Sequence, residues 1–249
     1  MHKLTSTTSI LFGFACWHLS ACAAEPEPPT FTAIYSSEAV KIDGKLEDAC
    51  WLEAEAYPLL LPKDRNSGNA TPIEIGTVRL AWDEQFFYAA FEFTDSDVVA
   101  DGEADQLLQH QLGDVAEIFL KPEQEPYYWE FHVTPRGHKS NFFFPSKGRL
   151  GLPSSFTYQC DTVAAARVDG TLNNWKDTDQ NWTAEIAIPV EALTEHGAEF
   201  DSKSKWRVLS GRYNYSQKLP AKELSAAPLL PITSYHNLSE YARLELQKP

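Results

Sequence analysis

The sequence predicts an all-β protein, an antiparallel β-sandwich of the jelly-roll kind with one or two short helices. Three observations predict this class. Aromatic residues make up 12% of the 249 residues, and aromatic residues favour strands. Short segments alternate apolar and polar residues, as half-buried strands do, and turn formers separate these segments. Segments with helical periodicity are scarce.

The first elements in chain order are a short helix and a hairpin. We expect the helix over residues 46–54. Residues 78–82 alternate apolar with other side chains, and the turn-forming segment 83–85 follows them. The apolar residues of 87–93 then recur at a period of two. Two alternating segments joined by a short turn predict a β-hairpin.

The remaining elements follow the same pattern. The turn 121–124 and the segment Pro135-Arg136-Gly137 separate strands of the central region, and Pro189 ends a later strand. A single helical turn is expected over residues 190–193. The further predicted strands are 115–120, 128–134, 138–144, 182–188, 206–215 and 241–246.

The N-terminal residues resemble an export signal and are not expected to belong to the folded domain. Lys3 precedes an apolar stretch, 10–17, that is too short to span a bilayer as a helix. Leu19-Ser20-Ala21-Cys22 resembles a bacterial lipobox, which would make Cys22 the lipidated residue. Ala21-Cys22-Ala23 alternatively fits ordinary signal peptidase. We expect a leader at 1–22, an extended Pro/Glu tether at 23–30 and one domain at 31–249, lipid-anchored in the periplasm or at the cell surface.

Net charge and cysteine content limit which partners and which covalent cross-links are expected. The chain has 21 Lys and Arg against 35 Asp and Glu, a formal charge of −14. Because a polyanion would be repelled, nucleic acid is not an expected partner. We expect a monomer whose only contact with a membrane is the lipid anchor. Cys50 and Cys160 form either a disulfide, which the exported compartment permits, or two buried thiols.

Several motifs in order resemble the family 9 carbohydrate-binding modules and their DOMON-like relatives. The resemblance spans about residues 40–246. It implies a β-sandwich that binds sugars between two aromatic rings and holds structural calcium. The motifs that carry it are Ile42-Asp43-Gly44 with Asp48 and Trp51, 78–82 with Asp83 and 87–88, Asp95, 113–119 (GDVAEIF), 182–189 (WTAEIAIP), and Tyr235-His236 to Leu244.

The resemblance also implies sugar-binding residues. Glu117 stands where the family glutamate hydrogen-bonds the sugar, and an ion pair with Arg212 is the structural alternative. His132 stands at the position of a basic residue of the family, and Ser210 and Arg212 lie on a strand that supplies polar groups. Tyr235 falls at one ring of the aromatic clamp. No aromatic occupies the place of the second ring, 110–112, so the candidate substitutes are Trp129, Trp175, Tyr127 and 142–144. Trp175 stands in a polar turn, where a ring lying flat over the edge of the sandwich is the structural alternative.

Metal and haem chemistry have weaker signals. Asp95, Asp97 and Asp101 crowd one acidic segment, and hard oxygen ligands at this density suit calcium. A solvated acidic loop is the alternative. We expect no haem, because Met1 is the only Met and it lies in the leader.

The sequence therefore predicts non-catalytic binding of a poly- or oligosaccharide, in support of glycan breakdown. Two alternatives remain open. One is a structural or scaffold lipoprotein whose sugar site has decayed, which the missing clamp ring favours. The other is a glycoside hydrolase that pairs Glu117 with Glu130 or Glu185, since such enzymes need two carboxylates across the scissile bond.

Overall fold

The computed structural model describes residues 27–149 and 151–248, and twelve strands dominate this part of the chain. The strands are β1 (Thr30–Tyr35), β2 (Tyr57–Pro58), β3 (Gly76–Trp82), β4 (Phe86–Thr94), β5 (Val115–Pro122), β6 (Tyr128–Val133), β7 (Lys139–Phe144), β8 (Val163–Asp169), β9 (Asn181–Pro189), β10 (Trp206–Asn214), β11 (Glu223–Ala227) and β12 (Ala242–Leu246). Three short helices accompany them: α1 (Ala49–Glu53), α2 (Pro153–Phe156) and α3 (Val190–Thr194). The predicted all-β class is confirmed.

The strands form two sheets that share one strand. The first sheet runs in the order β7, β6, β5, β10, β12, β1, and β11 also pairs with β10. The second sheet runs β1, β3, β4, β9, β8, and β2 also pairs with β3. Strand β1 pairs in parallel with β12 over Thr30–Ala33 and then with β3 over Ile34–Tyr35. Pairing is antiparallel elsewhere, so the expected antiparallel sandwich is mixed at this one strand.

The main core lies between the two sheets. Side chains alternate along each strand, so every second residue faces the opposite sheet. Trp129 and Trp206 of the first sheet and Trp182 of the second are at most 2% exposed there. Burying side chains of this size is the dominant favourable term in folding.

Each sheet also has a partly covered outer face. On the second sheet, α1 places Cys50 and Trp51 against Tyr88 and Ala90. On the first sheet, Phe119, Tyr128 and Leu209 pack with residues from the segment between β11 and β12, among them Leu230, Tyr235 and Tyr241. This second arrangement leaves part of the first sheet's outer face open, and the candidate site lies there.

Every strand that the alternation predicts is present, with ends that differ by at most two residues. The hairpin of 78–82 and 87–93 is confirmed by the antiparallel register of Val78 with Phe91. The helix expected over 46–54 is shorter and covers Ala49–Glu53. Strands β1, β2, β8 and β11 and helix α2 were not predicted.

Both thiols are free, so the disulfide alternative is wrong. Of the two thiols expected to be buried, Cys50 is buried and Cys160 is partly buried. Cys50 lies under α1 on the outer face of the second sheet, whereas Cys160 packs beside the main core. Burial raises the pKa of each thiol to about 11, which keeps both protonated at neutral pH.

The leader, Cys22 and residues 23–26 of the expected tether lie outside the described residues. The folded part begins slightly earlier than expected, because Thr30 already belongs to β1 and the Pro29 carbonyl accepts a hydrogen bond from Arg243 N. No helix in the described part of the chain has the length and apolar character needed to cross a membrane.

Candidate functional site

The outer face of the first sheet carries a row of polar side chains across two paired strands. Glu117 of β5 lies directly opposite His132 of β6, and Phe119 lies opposite Glu130. All four side chains face away from the main core, because their neighbours Ala116, Ile118, Phe131 and Val133 fill it. Strand pairing therefore brings two carboxylates and an imidazole together.

The two carboxylates form the floor of a pocket of ≈ 270 Å³, and the fully buried His132 lies beneath them. Its walls come from a 3-10 turn before β5, from β10 and from the segment between β11 and β12. The lining includes His110, Glu117, Glu130, Tyr213, Tyr235 and His236. The pocket thus combines carboxylates, imidazoles and aromatic rings in one concave surface.

His132 lies between the two carboxylates at the base of the pocket. Its Nε2 is 3.1 Å from Glu117 Oε1 and 2.5 Å from Glu130 Oε1, and its side chain is fully buried. Burial lowers the pKa of His132, but the charges and hydrogen bonds of Glu117 and Glu130 outweigh burial and raise the pKa to about 10. The imidazole is therefore protonated at neutral pH in the metal-free protein.

The two carboxylates respond to this cation in opposite directions. Burial raises the pKa of Glu117 to about 6, although the charge of His132 opposes the shift. Burial also acts to raise the pKa of Glu130, but the hydrogen bond and charge of His132 prevail and lower it. Glu130 is consequently the more firmly ionised of the two, and the pKa of Glu117 lies closer to neutral pH.

Two further histidines stand at the edge of the pocket. His236 Nδ1 lies 2.9 Å from the hydroxyl oxygen of Tyr128. The ring centroid of His110 is 5.9 Å from that of His132 and 5.5 Å from that of Tyr213. Burial lowers the pKa of both His110 and His236, so both rings are neutral at pH 7 and have lone pairs to offer.

An apolar groove adjoins the pocket on the β7 side. Its cavity of ≈ 340 Å³ shares His110, Glu130 and His236 with the pocket. Phe142 and Phe144 of β7 form its base, and helix α2 contributes Phe156, which is 36% exposed. The pocket and the groove therefore make one continuous depression with a polar end and an apolar end.

Tyr235 does not act as an exposed clamp ring. It is 5% exposed, and its hydroxyl lies 2.8 Å from the carbonyl oxygens of both Arg212 and Ser225. Its ring lies so close over Gly211 that a Cβ there would come within 2.7 Å of it. Tyr235 is thus a fixed wall of the pocket, and the half-buried Tyr213 beside it presents more ring surface.

Ser210 and Arg212 are not part of the pocket. Both lie on the core-facing side of β10, since Gly211 between them is the residue opposite Glu117. Arg212 Nη2 is 2.9 Å from Asp95 Oδ2, and the guanidinium lies 4.5 Å from the Phe93 ring centroid. The alternative ion pair between Glu117 and Arg212 is therefore wrong: Glu117 pairs with His132.

Two of the three expected calcium ligands, Asp95 and Asp97, are engaged with protein groups. Asp95 binds Arg212 and accepts a hydrogen bond from Trp182 Nε1, and Asp97 Oδ2 accepts one from Gln217 N. Within the described residues, Asp95, Asp97 and Asp101 do not converge on a common point. A different set does converge: one donor atom each of His110, Glu117 and His132, all within 4.8 Å of one another.

Two other predicted residues lie away from the pocket. Trp175 is 60% exposed in the turn between β8 and β9 and does not line the depression. Glu185, a possible hydrolase partner of Glu117, lies on the outer face of the second sheet, where its Oε1 accepts a hydrogen bond from Trp51 Nε1. Glu130 is the carboxylate that accompanies Glu117.

The predicted sugar-binding set lacked several lining residues, among them His110, Glu130, Tyr213 and His236. Glu130 shares a strand face with His132, so alternation alone could have identified it. His236 follows Tyr235 in the motif of the C-terminal segment. Tyr213 needed the register between β10 and β5, which no pattern in a single segment carries. His110 lies in the 3-10 turn Gln109–Gln111, and its approach to the ring of His132 depends on how that turn packs against the sheet.

A protein-family model described as carbohydrate family 9 binding domain-like matches residues 42–204. The matched segment contains His110, Glu117, Glu130 and His132 and stops before β10. A search of curated proteins finds no match.

Three solved structures share the fold. A proposed carbohydrate-binding protein from Bacteroides uniformis is 12% identical, with 89% of this chain and 100% of that one covered and a TM-score of 0.71. A family 9 carbohydrate-binding module from Caldicellulosiruptor kristjanssonii in complex with cellotriose is 13% identical, with coverages of 88% and 94% and a TM-score of 0.56. A module of that family and organism in complex with glucose is 12% identical, with coverages of 88% and 96% and a TM-score of 0.58.

Identities this low show the fold alone. The family match covers more than half of the chain and includes the strands that form the floor of the pocket. The chain therefore belongs to the carbohydrate family 9 binding domain-like family.

Proposed function

We propose that this protein binds carbohydrate in the pocket above Glu117, without changing it chemically. The observation that carries the proposal is the combination, in one depression, of a fixed carboxylate floor with aromatic walls. Sugars need both kinds of group, because their hydroxyls require polar partners and their C–H faces pack on aromatic rings. Family membership supports this chemistry, and two fold neighbours are complexes with cellotriose and glucose.

The floor supplies the hydrogen-bonding partners for sugar hydroxyls. Glu117 and Glu130 accept hydrogen bonds from hydroxyl groups, and His132 holds both carboxylates in place from below. The neutral ring of His236 adds a nitrogen on the wall. Groups fixed in advance cost little entropy on binding, so this floor favours recognition of a defined arrangement of hydroxyls.

The walls supply the surface for a sugar ring, and the groove accommodates the next unit of a chain. Tyr213 stands half-buried beside Glu117, with Lys222 Nζ 5.0 Å from its ring centroid. The pocket is small for a ligand site, so it suits a single ring. Phe156 and the adjoining groove would pack on the ring that follows it.

Export and a role in glycan breakdown belong to the same proposal. We infer that Cys22 carries a lipid and that the tether lifts the sandwich off the membrane. Mass spectrometry of the protein from membranes should find an acylated N-terminal Cys22. In a C22A variant, the protein should be soluble and unacylated.

Calorimetric titration of a chain starting at Glu27 with glucose, cello-oligosaccharides and their alditols tests sugar binding. Two aromatic residues, the half-buried Tyr213 of the pocket and the exposed Trp175 outside it, provide a pair of variants. Tyr213→Ala should weaken binding about tenfold or more, because a ring contact of about 1.4 kcal/mol is lost. Trp175→Ala should bind as the wild type does, because Trp175 lies outside the depression.

The result that would overturn the proposal is a folded protein that gives no heat with any of these sugars or with xylo- and manno-oligosaccharides. That result would favour the scaffold alternative. Loss of binding in Trp175→Ala with retention in Tyr213→Ala would instead move the sugar site to the turn between β8 and β9.

A further inference from the structure

We propose that the floor of the pocket binds a divalent first-row transition metal ion through His110, Glu117 and His132. One donor atom from each of these residues lies within 4.8 Å of the other two. His132 Nε2 and Glu117 Oε1 are 3.1 Å apart. A metal with ligand bonds of about 2.0–2.2 Å holds neighbouring ligand atoms about 3–3.5 Å apart, so this pair already has the spacing of two ligands.

The donor set selects the class of metal. Two imidazoles and one carboxylate suit zinc, iron and related first-row ions. Calcium and magnesium prefer oxygen ligands in larger number, so this site differs in chemistry from the calcium expected at Asp95 and Asp97. The second carboxylate, Glu130, lies beside the set and contacts His132.

The geometry around His132 Nε2 suits a metal ion. Nε2 approaches Glu117 and Glu130 at once, although a single N–H cannot be directed well at both. A metal ion instead accepts one lone pair from the nitrogen, whose proton is released to solvent, and one from a carboxylate oxygen. Nδ1 is buried without a hydrogen-bond partner, so no network on its other side explains the position of the ring.

An ion pair that serves stability alone is a weaker explanation of the cluster. Replacing a buried ion pair by apolar side chains is often neutral or stabilising. His110 contributes no ion pair, yet it brings a neutral, half-buried imidazole to the same point from the 3-10 turn Gln109–Gln111. A metal ion gives this third residue a role.

The position of the set leaves room for an exchangeable ligand. Sites with three protein ligands that border a cavity keep a coordination position for water or a ligand oxygen. His110 and Glu117 both line the pocket, so that position would open into it. This inference stands whether or not a sugar occupies the pocket.

The test is a calorimetric titration of chelator-treated protein with zinc chloride. We expect one equivalent of zinc to bind, and excess calcium chloride not to displace it. His110→Ala should bind zinc at least tenfold more weakly. His110 is half-buried in a turn, so the variant should remain folded. His138→Ala removes a surface histidine paired with Asp105 and should titrate as the wild type does.

Cobalt(II) provides a second readout that does not depend on affinity. Bound cobalt should give the visible absorption of nitrogen and oxygen coordination, and Glu117→Gln should alter this spectrum. The inference is overturned if the folded wild type takes up no zinc, or if His110→Ala binds zinc as the wild type does. Sugar titrations with and without zinc separate the proposals: zinc uptake without sugar binding contradicts only the proposed function.

Discussion

His132 decides the electrostatics of the pocket. Without its charge, Glu117 and Glu130 would be two carboxylates buried side by side, with exposures of 1% and 6%. Uncompensated buried charges are costly, and one cation between them offsets both the burial and the mutual repulsion. The arrangement of the pocket floor and the stability of this part of the sheet therefore depend on the same imidazole.

Replacing His132 should lower stability and remove a pH dependence. In metal-free protein the folded state holds the His132 proton with a pKa of about 10, above the ordinary 6.5. The stabilisation is complete below pH 6.5 and is lost as the pH rises through about 10. Urea unfolding near pH 7 should show His132→Gln less stable by about 3–5 kcal/mol.

The control for this prediction is how steeply the free energy of unfolding falls with pH between pH 6.5 and about pH 10. The wild type should lose stability across the window, beyond any loss that the variant shows. Equal slopes in wild type and variant would contradict the assignment of the proton to His132.

Tyr235 should act through stability rather than through sugar stacking. Tyr235→Ala removes a buried ring and should cost about 3–5 kcal/mol in thermal or urea unfolding. Tyr235→Phe removes only the hydroxyl contacts and should cost about 1–3 kcal/mol, with near wild-type sugar affinity. Weak sugar binding by a fully folded Tyr235→Phe variant would restore a direct role in recognition.

At the scale of one element, β10 serves two purposes with its two faces. Its outward face carries Tyr213, which lines the pocket, and Gly211, against which the ring of Tyr235 packs. Its inward face carries Arg212, which binds Asp95 and the carbonyl oxygens of Glu74 and Thr94. A single strand thus contributes to the site and connects the first sheet to residues next to the start of β3 and at the end of β4 in the second sheet.

Removing Arg212 should destabilise the fold and leave recognition intact. Arg212→Met leaves Asp95 buried without its cation, which should cost about 3–5 kcal/mol in urea unfolding. The double variant Arg212→Met, Asp95→Asn should recover part of this loss, because no unpaired charge remains. Loss of sugar affinity in a folded Arg212 variant would contradict the placement of this residue outside the site.

Strands were predictable where apolar residues alternate strongly, as in 87–93. The missed strand β8 contains three consecutive alanines, Ala164 to Ala166, and is held at the sheet edge by its pairing with β9. The errors at Ser210 and Arg212 have a related cause. Alternation shows which residues of one strand share a face, but only the register with β5 shows which face that is.

At the scale of the molecule, β1 joins the two sheets. It pairs with β12 in the first sheet and with β3 in the second, and Phe31 and Ala33 are buried in the main core. The sheets therefore share backbone hydrogen bonds as well as a core. We expect them to unfold together.

Deleting β1 tests this connection. A chain that starts at residue 37 should melt about 10 °C or more below a chain that starts at Glu27, because a strand of both sheets is lost. Circular dichroism during heating should show a single transition for the longer chain. Equal melting temperatures would mean that the sheets hold together without β1.

Fold class and family were accessible from the sequence because motif order and strand alternation extend over most of the chain. The pocket was only half accessible. Glu117 and His132 lie within a recognisable motif and its neighbouring strand. Tyr213 joins them through long-range pairing, and His110 joins them through the packing of a 3-10 turn. Whether Cys50 and Cys160 form a disulfide could not be predicted from the sequence, because the distance between them depends on the packing of the sandwich.

The location of a bound sugar tests the central claim most directly. Crystals grown with glucose or cellotriose should show a sugar ring against Tyr213, with a hydroxyl within hydrogen-bonding distance of the Glu117 or Glu130 carboxylate. Sugar density at Trp175, or anywhere outside the depression between His110 and His236, would contradict the account.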